Sequence, residues 1–449
     1  MTRRSWLGLE ANKIASSLFL IFLGIATWVA YAYSASLVAY AAPANVDRIA
    51  YVDNDLNIQV VDDLGRQRIA LTNDASPADG QFYIFPTWSP DSQRIAFIGR
   101  RNAWQAEESA LYTIPATGGD RTMIYDSATL LPSYSYWSPD GQWLGFLTQN
   151  DTEMDFMLGH PDGKQETQKI AVGTSVYWAW SPNSQTVLMH VNGSGRDSQD
   201  AHLSIQDVQA RNTPQTLTRA PSDFQSPQYS PDGKQILYAA IDRANQDALF
   251  IADAQDGSAK SIQTFNGRIA FSWSPDGKKI AWVTTDANVV YPTMGHVMIS
   301  DADGSHVRAL TTEDAMAFYW SPDGERLVYL TQGTVGQQAC AGHCARTVGL
   351  SAPLPQQNQK MVLSWRVVDL TNNQVSILAT FNPTQPFLFL MRYFDQYARS
   401  TTFWSPDGQK FVYTAEDADG NGTVWVADVT SQEQARKIGD GVLAVWSWN

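Results

Sequence analysis

A run of oxygen-bearing side chains near the C-terminus has the composition of a calcium-binding loop. It lies in the segment DADGNGTVWVAD. Short loops that gather carboxylate and carbonyl oxygens suit a hard cation such as Ca²⁺. The candidate ligands are Asp417, Asp419, Asn421, Thr423 through its backbone carbonyl, and Asp428 as the closing carboxylate. The alternative is an ordinary turn between two strands, for which Asp, Asn and Gly are the usual residues, and with that alternative no cofactor is expected.

The chain has two cysteines, Cys340 and Cys344, in the segment ACAGHCAR. Two thiols exclude a disulfide-rich scaffold and a four-cysteine zinc site. If this segment lies outside the cytoplasm, a disulfide bond between the two is expected. The alternative is a metal site that uses His343, which would need two further ligands from distant parts of the chain.

Residues that would mark a hydrolase do not occur at the required spacing. The sequence has no G-x-S-x-G motif, and the nearest string, NGSGRDS from Asn192, fits an exposed hairpin loop. The six histidines are scattered without metal-ligand spacing. An enzyme stays a rival hypothesis, because a site can be assembled from residues that are far apart in sequence.

The elements that position these residues are given by a repeat. An aromatic residue followed by Ser-Pro, a tight turn and a short apolar strand occurs seven times, starting at Trp88, Trp137, Trp180, Tyr229, Trp273, Trp320 and Trp404. The first six copies lie 43 to 49 residues apart, and the last two lie 84 apart. This period is typical of four-stranded β-propeller blades of about 40 to 50 residues, with one blade that carries insertions.

Turn chemistry explains the composition of the repeat. Proline presets φ near −65° and cannot continue a strand ladder, whereas the Gly that usually follows two residues later accepts positive φ. One strand therefore ends at the aromatic residue, and the next begins after the turn. We call these seven connections the Ser-Pro turns. A second, Asp-rich turn further along most repeats joins the third strand to the fourth, as in VMISDADGS from Val297.

The two ends of the repeat region complement each other. Residues 48–66 have the pattern of strands two and three of a blade, and residues 441–449 have the pattern of a first strand. Pairing them completes one more blade and removes an open sheet edge. The sequence therefore predicts an all-β fold with eight blades, and seven is the alternative.

These repeats resemble the TolB-type, WD40-like β-propeller repeats, which also occur in the propeller domains of dipeptidyl-peptidase IV and prolyl-oligopeptidase relatives. The resemblance covers residues 48–449. Neither the small domain that precedes the TolB propeller nor the α/β-hydrolase domain of the peptidases has a counterpart in the sequence. The resemblance implies a propeller with a binding or scaffolding role, and it implies no catalytic residue.

The N-terminus has the pattern of a membrane anchor. Arg3, Arg4 and Lys13 precede residues 14–42, which carry no charge and are long enough to span a bilayer. We expect residues 1–13 to be a cytoplasmic tail and the propeller to lie on the extracytoplasmic side, in the periplasm or at the cell surface. The alternative is a cleavable signal peptide, because an A-x-A-like site lies before Pro43.

The long insertions are expected on one face of the propeller. Connections between strands two and three, and between blades, lie opposite the Ser-Pro turns, and they include 101–109, 285–295, 331–360 and 381–402. We call this side the loop-rich face and the other the Ser-Pro face. Long loops on a rigid scaffold are where binding usually resides. The candidate binding residues are Trp104, Tyr291, Phe387, Leu388, Phe389, Arg392 and Tyr393.

Within these candidates, the apolar run Pro386 to Phe394 has two interpretations. It is either a lid or short helix packed over the propeller mouth, which is the preferred interpretation, or an exposed contact patch for a partner or the bilayer.

Charge and composition narrow the function. The formal net charge is −14, which disfavours binding to nucleic acid. The predicted function is a membrane-anchored, extracytoplasmic scaffold that binds a protein, a peptide or an envelope ligand. The alternatives are an enzyme with its site at the central channel, for which we expect converging His or carboxylate groups of perturbed pKa, and the sensor ectodomain of a membrane complex.

Overall fold

The computed structural model describes residues 47–103, 107–209, 213–285, 294–333, 361–431 and 433–449. Within them, residues Asp47–Asn449 form one compact unit. Its strands make eight separate antiparallel sheets, of which seven have four strands and one has three. The all-β prediction is therefore confirmed.

The strands follow one another along the chain in sets that correspond to the repeats. The chain begins with β1 Arg48–Asp53, β2 Ile58–Asp62 and β3 Ile69–Ala70, followed by a 3₁₀ helix, Pro77–Asp79. Blade 1 consists of β4 Phe82–Trp88, β5 Arg94–Arg101, β6 Glu108–Pro115 and β7 Thr122–Ser127. Blade 2 consists of β8 Leu131–Trp137, β9 Leu144–Gln149, β10 Met154–Gly159 and β11 Gln168–Gly173. Blade 3 consists of β12 Val176–Trp180, β13 Thr186–Val191, β14 His202–Asp207 and β15 Gln215–Thr216.

The second half of the chain continues the series. Blade 4 consists of β16 Gln228–Tyr229, β17 Gln235–Ile241, β18 Asp247–Asp253 and β19 Ala259–Phe265. Blade 5 consists of β20 Arg268–Trp273, β21 Lys279–Thr285, β22 Val297–Asp301 and β23 Arg308–Ala309. Blade 6 consists of β24 Ala315–Trp320, β25 Arg326–Gln332, β26 Leu363–Asp369 and β27 Val375–Phe381. Two helices follow, α1 Gln385–Met391 and α2 Phe394–Tyr397, and then β28 Lys410–Glu416, β29 Gly422–Asp428, β30 Arg436–Gly439 and β31 Gly441–Trp446.

Blade 7 is the three-stranded sheet β28-β29-β30. A single bridge between Trp404 and Phe411 stands where the other blades have an inner strand.

Blade 8 joins the two ends of the chain. Its strand order is β3-β2-β1-β31, so the last strand is the innermost one. Ile49 pairs with Trp446, and Val52 pairs with Leu443. The predicted closure and the count of eight blades are confirmed.

Each Ser-Pro turn is held by its own serine and by the residue two positions later, which is an Asp in six copies and Asn183 in the copy from Trp180. In the first copy, Ser89 Oγ donates to Asp91 Oδ1 over 2.6 Å and accepts the Arg94 N–H over 2.9 Å. The same pair of bonds recurs in the copy from Ser405, with Asp407 and Lys410. Because serine satisfies both the turn acid and the first amide of the next strand, the repeat requires these residue types at this spacing.

The aromatic residue of the repeat links neighbouring blades. Trp137 Nε1 of blade 2 donates to the Thr87 carbonyl of blade 1 over 3.2 Å. Across the closure, Trp88 Nε1 donates to the Val445 carbonyl of blade 8, also over 3.2 Å. Trp88 is buried. In these copies the tryptophan provides apolar area for the contact between blades and a donor for a carbonyl of the preceding blade. Among the described residues, the buried Nε1 of Trp180 and that of Trp273 have no acceptor.

Several predictions fall on parts of the chain that lie outside the described residues. These are the membrane anchor at 14–42, the candidates Trp104 and Tyr291, and the disulfide between Cys340 and Cys344. Among the described residues, no helix has the length and apolar character needed to cross a membrane.

Candidate functional site

The connection from blade 6 to blade 7, residues 382–403, contains both helices and fills the centre of the propeller. We call it the plug. Its buried aromatic side chains pack against strands of several different blades. The ring of Phe387 lies 5.8 Å from that of Trp365 in blade 6, and Tyr397 lies 4.2 Å from Tyr134 in blade 2. The insertion therefore belongs to the largest apolar cluster of the described residues, which includes side chains from every blade except blade 4.

The sequence of α1 explains why a helix forms here. Pro386 lies in the first turn, where its missing N–H costs nothing. The residues that the helix buries are Phe387, Leu390 and Met391, at the i, i+3, i+4 spacing of one helix face. Thr384, at the start of the helix, directs its hydroxyl to the Val442 carbonyl of blade 8 over 2.6 Å. The helix is thus fixed by tertiary contacts.

Gln396 is the polar centre of the plug and is completely buried. Its side-chain Oε1 accepts the N–H of Trp178 over 3.2 Å, and its Nε2 donates to the Trp178 carbonyl over 3.2 Å. The same Oε1 accepts the hydroxyl of Ser226 over 2.9 Å. One side chain therefore satisfies the inner strand of blade 3 and the segment before the inner strand of blade 4.

The plug contacts the blades unevenly and leaves a cavity of about 390 Å³ beside it. The walls come from blades 5 to 8 and from Gln228 of blade 4, and the inner end comes from α2 and the residues after it. The lining includes Pro275, Pro322 and Pro406 from three Ser-Pro turns. We call this space the central cavity. It is open at the Ser-Pro face, and the plug closes its other end.

Aromatic side chains dominate the walls of the central cavity: Phe271, Trp273, Phe318, Tyr319, Trp320, Phe403, Trp404 and Trp448. The charged residues of the lining are Asp395 and Arg399, both from the plug. Pockets of this size, with apolar walls and few polar groups, are typical of binding sites.

Two carboxyl groups of raised pKa, those of Asp223 and Asp395, lie close to each other beside the plug. Burial raises the pKa of Asp395 to about 6 and that of Asp223 to about 6, and the charge of Asp395 contributes to the raised pKa of Asp223. Asp395 Oδ2 accepts the Ser226 N–H over 3.0 Å. Both residues line a small recess with Arg268 and Arg392, and Asp395 also lines the central cavity. Asp395 therefore stands at the partition between the two spaces.

Buried His190 of blade 3 lies apart from both spaces. Its Nε2 is 2.6 Å from the Gly193 carbonyl, and burial lowers its pKa to about 4. In the part of the chain that the structure describes, no three His, Cys, Asp or Glu residues are grouped so that they could hold a metal ion.

The predicted binding residues of the plug divide into buried and accessible ones. Phe387 is a correction to the predicted set: only 1% of it is exposed, because it packs among core aromatic rings, so a partner cannot reach it. Phe389 is 42% exposed and Arg392 is also exposed, whereas Leu388 and Tyr393 are half-buried. The apolar run is mainly a packed helix with a small exposed edge.

The predicted calcium ligands do not all come together. Asp417 and Asn421 are in the turn between β28 and β29, where Asp417 Oδ1 accepts the Asn421 N–H over 2.8 Å. Thr423 donates its hydroxyl to the Ala415 carbonyl. Asp428 is at the far end of β29, opposite Lys410, so the strand separates it from the loop. The predicted closing ligand is therefore misplaced, and calcium binding by Asp417, Asp419 and Asn421 stays a prediction.

The fold and its plug define a class: a closed eight-bladed β-propeller whose centre is filled by an insertion between two blades. Residues 94–340 match the TolB beta propeller domain family. The chain belongs to this family.

Individual relatives match over shorter stretches. The chain is 24% identical over 221 residues to the uncharacterized peptidase YuxL of Bacillus subtilis, a match that covers 45% of this chain and 29% of the relative. It is 28% identical over 100 residues to the Tol-Pal system protein TolB of Xanthomonas campestris, which covers 22% of this chain and 21% of the relative. The chain thus spans less than a third of the length of these curated relatives.

A solved structure shows the same fold over most of the chain. The oligogalacturonate lyase of Vibrio parahaemolyticus has a TM-score of 0.50 and 14% identity, and the match covers 87% of this chain and 100% of the lyase. At this identity the likeness shows the fold alone.

Sequence reasoning missed the polar residues of the plug, Asp395, Gln396 and Arg399. They lie in YFDQYARS, within the insertion predicted at 381–402. The available signal was their position between aromatic residues, since polar groups among buried aromatic rings must find hydrogen-bond partners.

Proposed function

We propose that this protein is an extracytoplasmic binding scaffold and that a segment of a protein or peptide partner enters the central cavity from the Ser-Pro face. The observation that carries the proposal is the cavity itself, about 390 Å³ with aromatic walls and one open end. Such a space accommodates apolar side chains of a partner and removes them from water. Membership of the TolB propeller family agrees with a protein partner.

The extracytoplasmic location is part of the same proposal. It rests on the uncharged stretch 14–42 and the basic residues that precede it, which together favour a single-pass anchor. The partner is therefore expected to be a protein of the cell envelope.

The inner end of the cavity supplies a site for testing. Ala398 lines the cavity from the plug, and a phenylalanine there would occupy part of the space. We expect Ala398→Phe to retain its melting temperature within a few degrees and to lose partners that the unmodified protein captures. The control is Phe389→Ser, which removes an exposed ring on the loop-rich face.

The two variants separate the two faces. Loss of capture in Ala398→Phe, with normal capture in Phe389→Ser, supports the cavity as the contact site. The reverse result would place the partner on the loop-rich face and contradict the cavity. Normal capture by both folded variants would contradict both proposed contact sites, the cavity and the loop-rich face.

A second candidate function, an enzyme at the channel, is favoured by one observation. Asp223 and Asp395 have raised pKa values of about 6 and line the same recess, a pattern that occurs at catalytic sites. Assays with peptide and oligogalacturonate substrates test this candidate. Activity that Asp395→Asn abolishes without loss of folding would support it, and no turnover of either substrate class would count against it.

A further inference from the structure

The guanidinium of Arg399 has one nitrogen directed to no protein acceptor. Its Nε donates to Ser226 Oγ over 3.0 Å, and its Nη2 donates to the Pro227 carbonyl over 2.7 Å. Within the described part of the chain, Nη1 has no hydrogen-bond partner. Arg399 is half-buried and lines the central cavity. The side chain is therefore held rigidly while its third nitrogen stays available to an acceptor in the cavity.

The positive charge of Arg399 favours the ionised form of Asp395, but it forms no close ion pair. Among the described residues, no carboxylate lies within 4.0 Å of its guanidinium. Asp395 is the one acid among the residues that line the cavity, and its Oδ2 is occupied by the Ser226 N–H. A cation that is partly removed from water without a close ion pair is costly, and a carboxylate is the group that fits a guanidinium best.

The shape of the cavity limits how a polypeptide could present that carboxylate. The plug closes the inner end through Phe394, Asp395, Ala398 and Arg399, and the opening lies among the Ser-Pro turns. A chain that enters a blind space must end there or turn back. A terminal carboxylate arrives at the end of a single extended strand, whereas a backbone that enters the cavity with an internal acidic residue needs room for two strands.

We propose that the central cavity binds the carboxyl-terminal end of a partner polypeptide, with the terminal carboxylate on Nη1 of Arg399. The last side chains of that tail are apolar and lie against aromatic walls such as Phe271 and Phe318. This inference rests on the proposed function, since it names the chemistry of the segment that enters the same cavity.

The probe is a set of acetylated tetrapeptides that end in Leu, Ile, Val, Phe or Trp, each made as the free acid and as the C-terminal amide. Binding to the full-length protein is measured by titration calorimetry. We expect at least one free acid to bind about tenfold or more tightly than its amide, because only the acid makes the charge-assisted bond. In Arg399→Gln, the ratio of the affinity of the free acid to that of its amide should fall to about one.

Two controls are needed in the binding experiment, one for folding of the variants and one for the source of the carboxylate. Arg399→Lys keeps the positive charge but lacks the planar guanidinium, so it should retain part of the preference for the free acid over the amide. Thermal melting identifies a variant that has lost its fold. An amidated peptide with an internal Glu tests a side-chain carboxylate. If it binds as tightly as the free acids, the assignment to a chain terminus is wrong.

The outcomes distinguish this inference from the proposed function. If acids and amides bind equally and Ala398→Phe abolishes both, the cavity binds peptides and the carboxylate assignment is wrong. If no peptide of the set binds, the inference is overturned, and the proposed function is then decided by the capture experiment. An acid preference that persists unchanged in folded Arg399→Gln also overturns it.

Discussion

Replacement of Gln396 by alanine tests whether the plug is an integral part of the propeller. The variant leaves the backbone N–H of Trp178 and the hydroxyl of Ser226 without the acceptor they have now. It also removes one of the two donors to the Trp178 carbonyl, which keeps the hydroxyl of Tyr136. Each net hydrogen bond contributes about 1 kcal/mol, and a buried group left unsatisfied costs about 1–3 kcal/mol. We therefore expect a loss of about 3–4 kcal/mol in the free energy of unfolding.

The loss converts to a measurable change in melting temperature. Unfolding of a domain of about 400 residues has an entropy of about 0.8 kcal/mol/K, at about 2.1 cal/mol/K per residue. A loss of 3–4 kcal/mol then lowers Tm by about 4 °C, which differential scanning calorimetry resolves easily. The control is Gln409→Ala in a Ser-Pro turn, where the side chain is exposed, and its Tm should change by less than 1 °C.

The position of Gln396 also predicts a spectroscopic change. Trp178 packs 4.5 Å from Phe156 and 5.0 Å from Tyr136, so loosening its strand alters the near-ultraviolet circular dichroism. A Gln396→Ala variant with unchanged Tm and an unchanged aromatic spectrum would refute the reasoning, because the plug would then contribute nothing to the inner strands.

Three further predictions follow from the closure, the buried acid and the cysteines. Deletion of residues 441–449 should lower Tm by about 10 °C or more, because it removes the inner strand of blade 8 with its buried side chains, and an unchanged Tm would contradict the closure. Asp395, with its pKa raised to about 6 in the folded state against about 3.9 in the unfolded chain, contributes stability below pH 4 that is lost as pH rises through 6. Asp395→Asn should therefore reduce the fall in Tm between pH 4 and 7 and stabilise the protein at pH 7 by about 2 kcal/mol, and an unchanged pH profile would contradict this. Cys340 and Cys344 should resist alkylation until a reductant is added, and mass spectrometry of protein in which both thiols react without reductant would contradict the disulfide.

The repeat predicts the blades because its residues act locally. Ser89, Asp91 and the following amides form their hydrogen bonds within a few residues, so one copy of the motif contains the whole turn. Contacts between blades are predictable for the same reason, since each aromatic residue meets an equivalent strand of the neighbouring blade. The closure through Trp446 is predictable because the first strands of the chain and the last one each form part of an incomplete blade.

The site was less predictable because its contacts are not repeated. Gln396 is 218 residues from Trp178 in the sequence and 170 from Ser226, and no periodicity connects these positions. The insertion was recognised as a packed helix or a contact patch, but its polar side chains acquire a role only when the blades surround them. The position of the cavity likewise depends on which blades the plug contacts, and the residue types alone do not specify these contacts.

The plug explains how one insertion determines the chemistry of the whole channel. The blades supply walls that are similar all round, because every repeat places an aromatic residue and a proline at the same face. The plug breaks this symmetry: Gln396 and Arg399 bind it to blade 3 and to the segment before blade 4, and the open space is left beside blades 4 to 8. Its own residues then close the inner end of that space and carry the charges that line it. Substitutions in α2 and the residues after it should therefore change what the cavity binds without altering the blades, whereas substitutions in the Ser-Pro turns should change stability first.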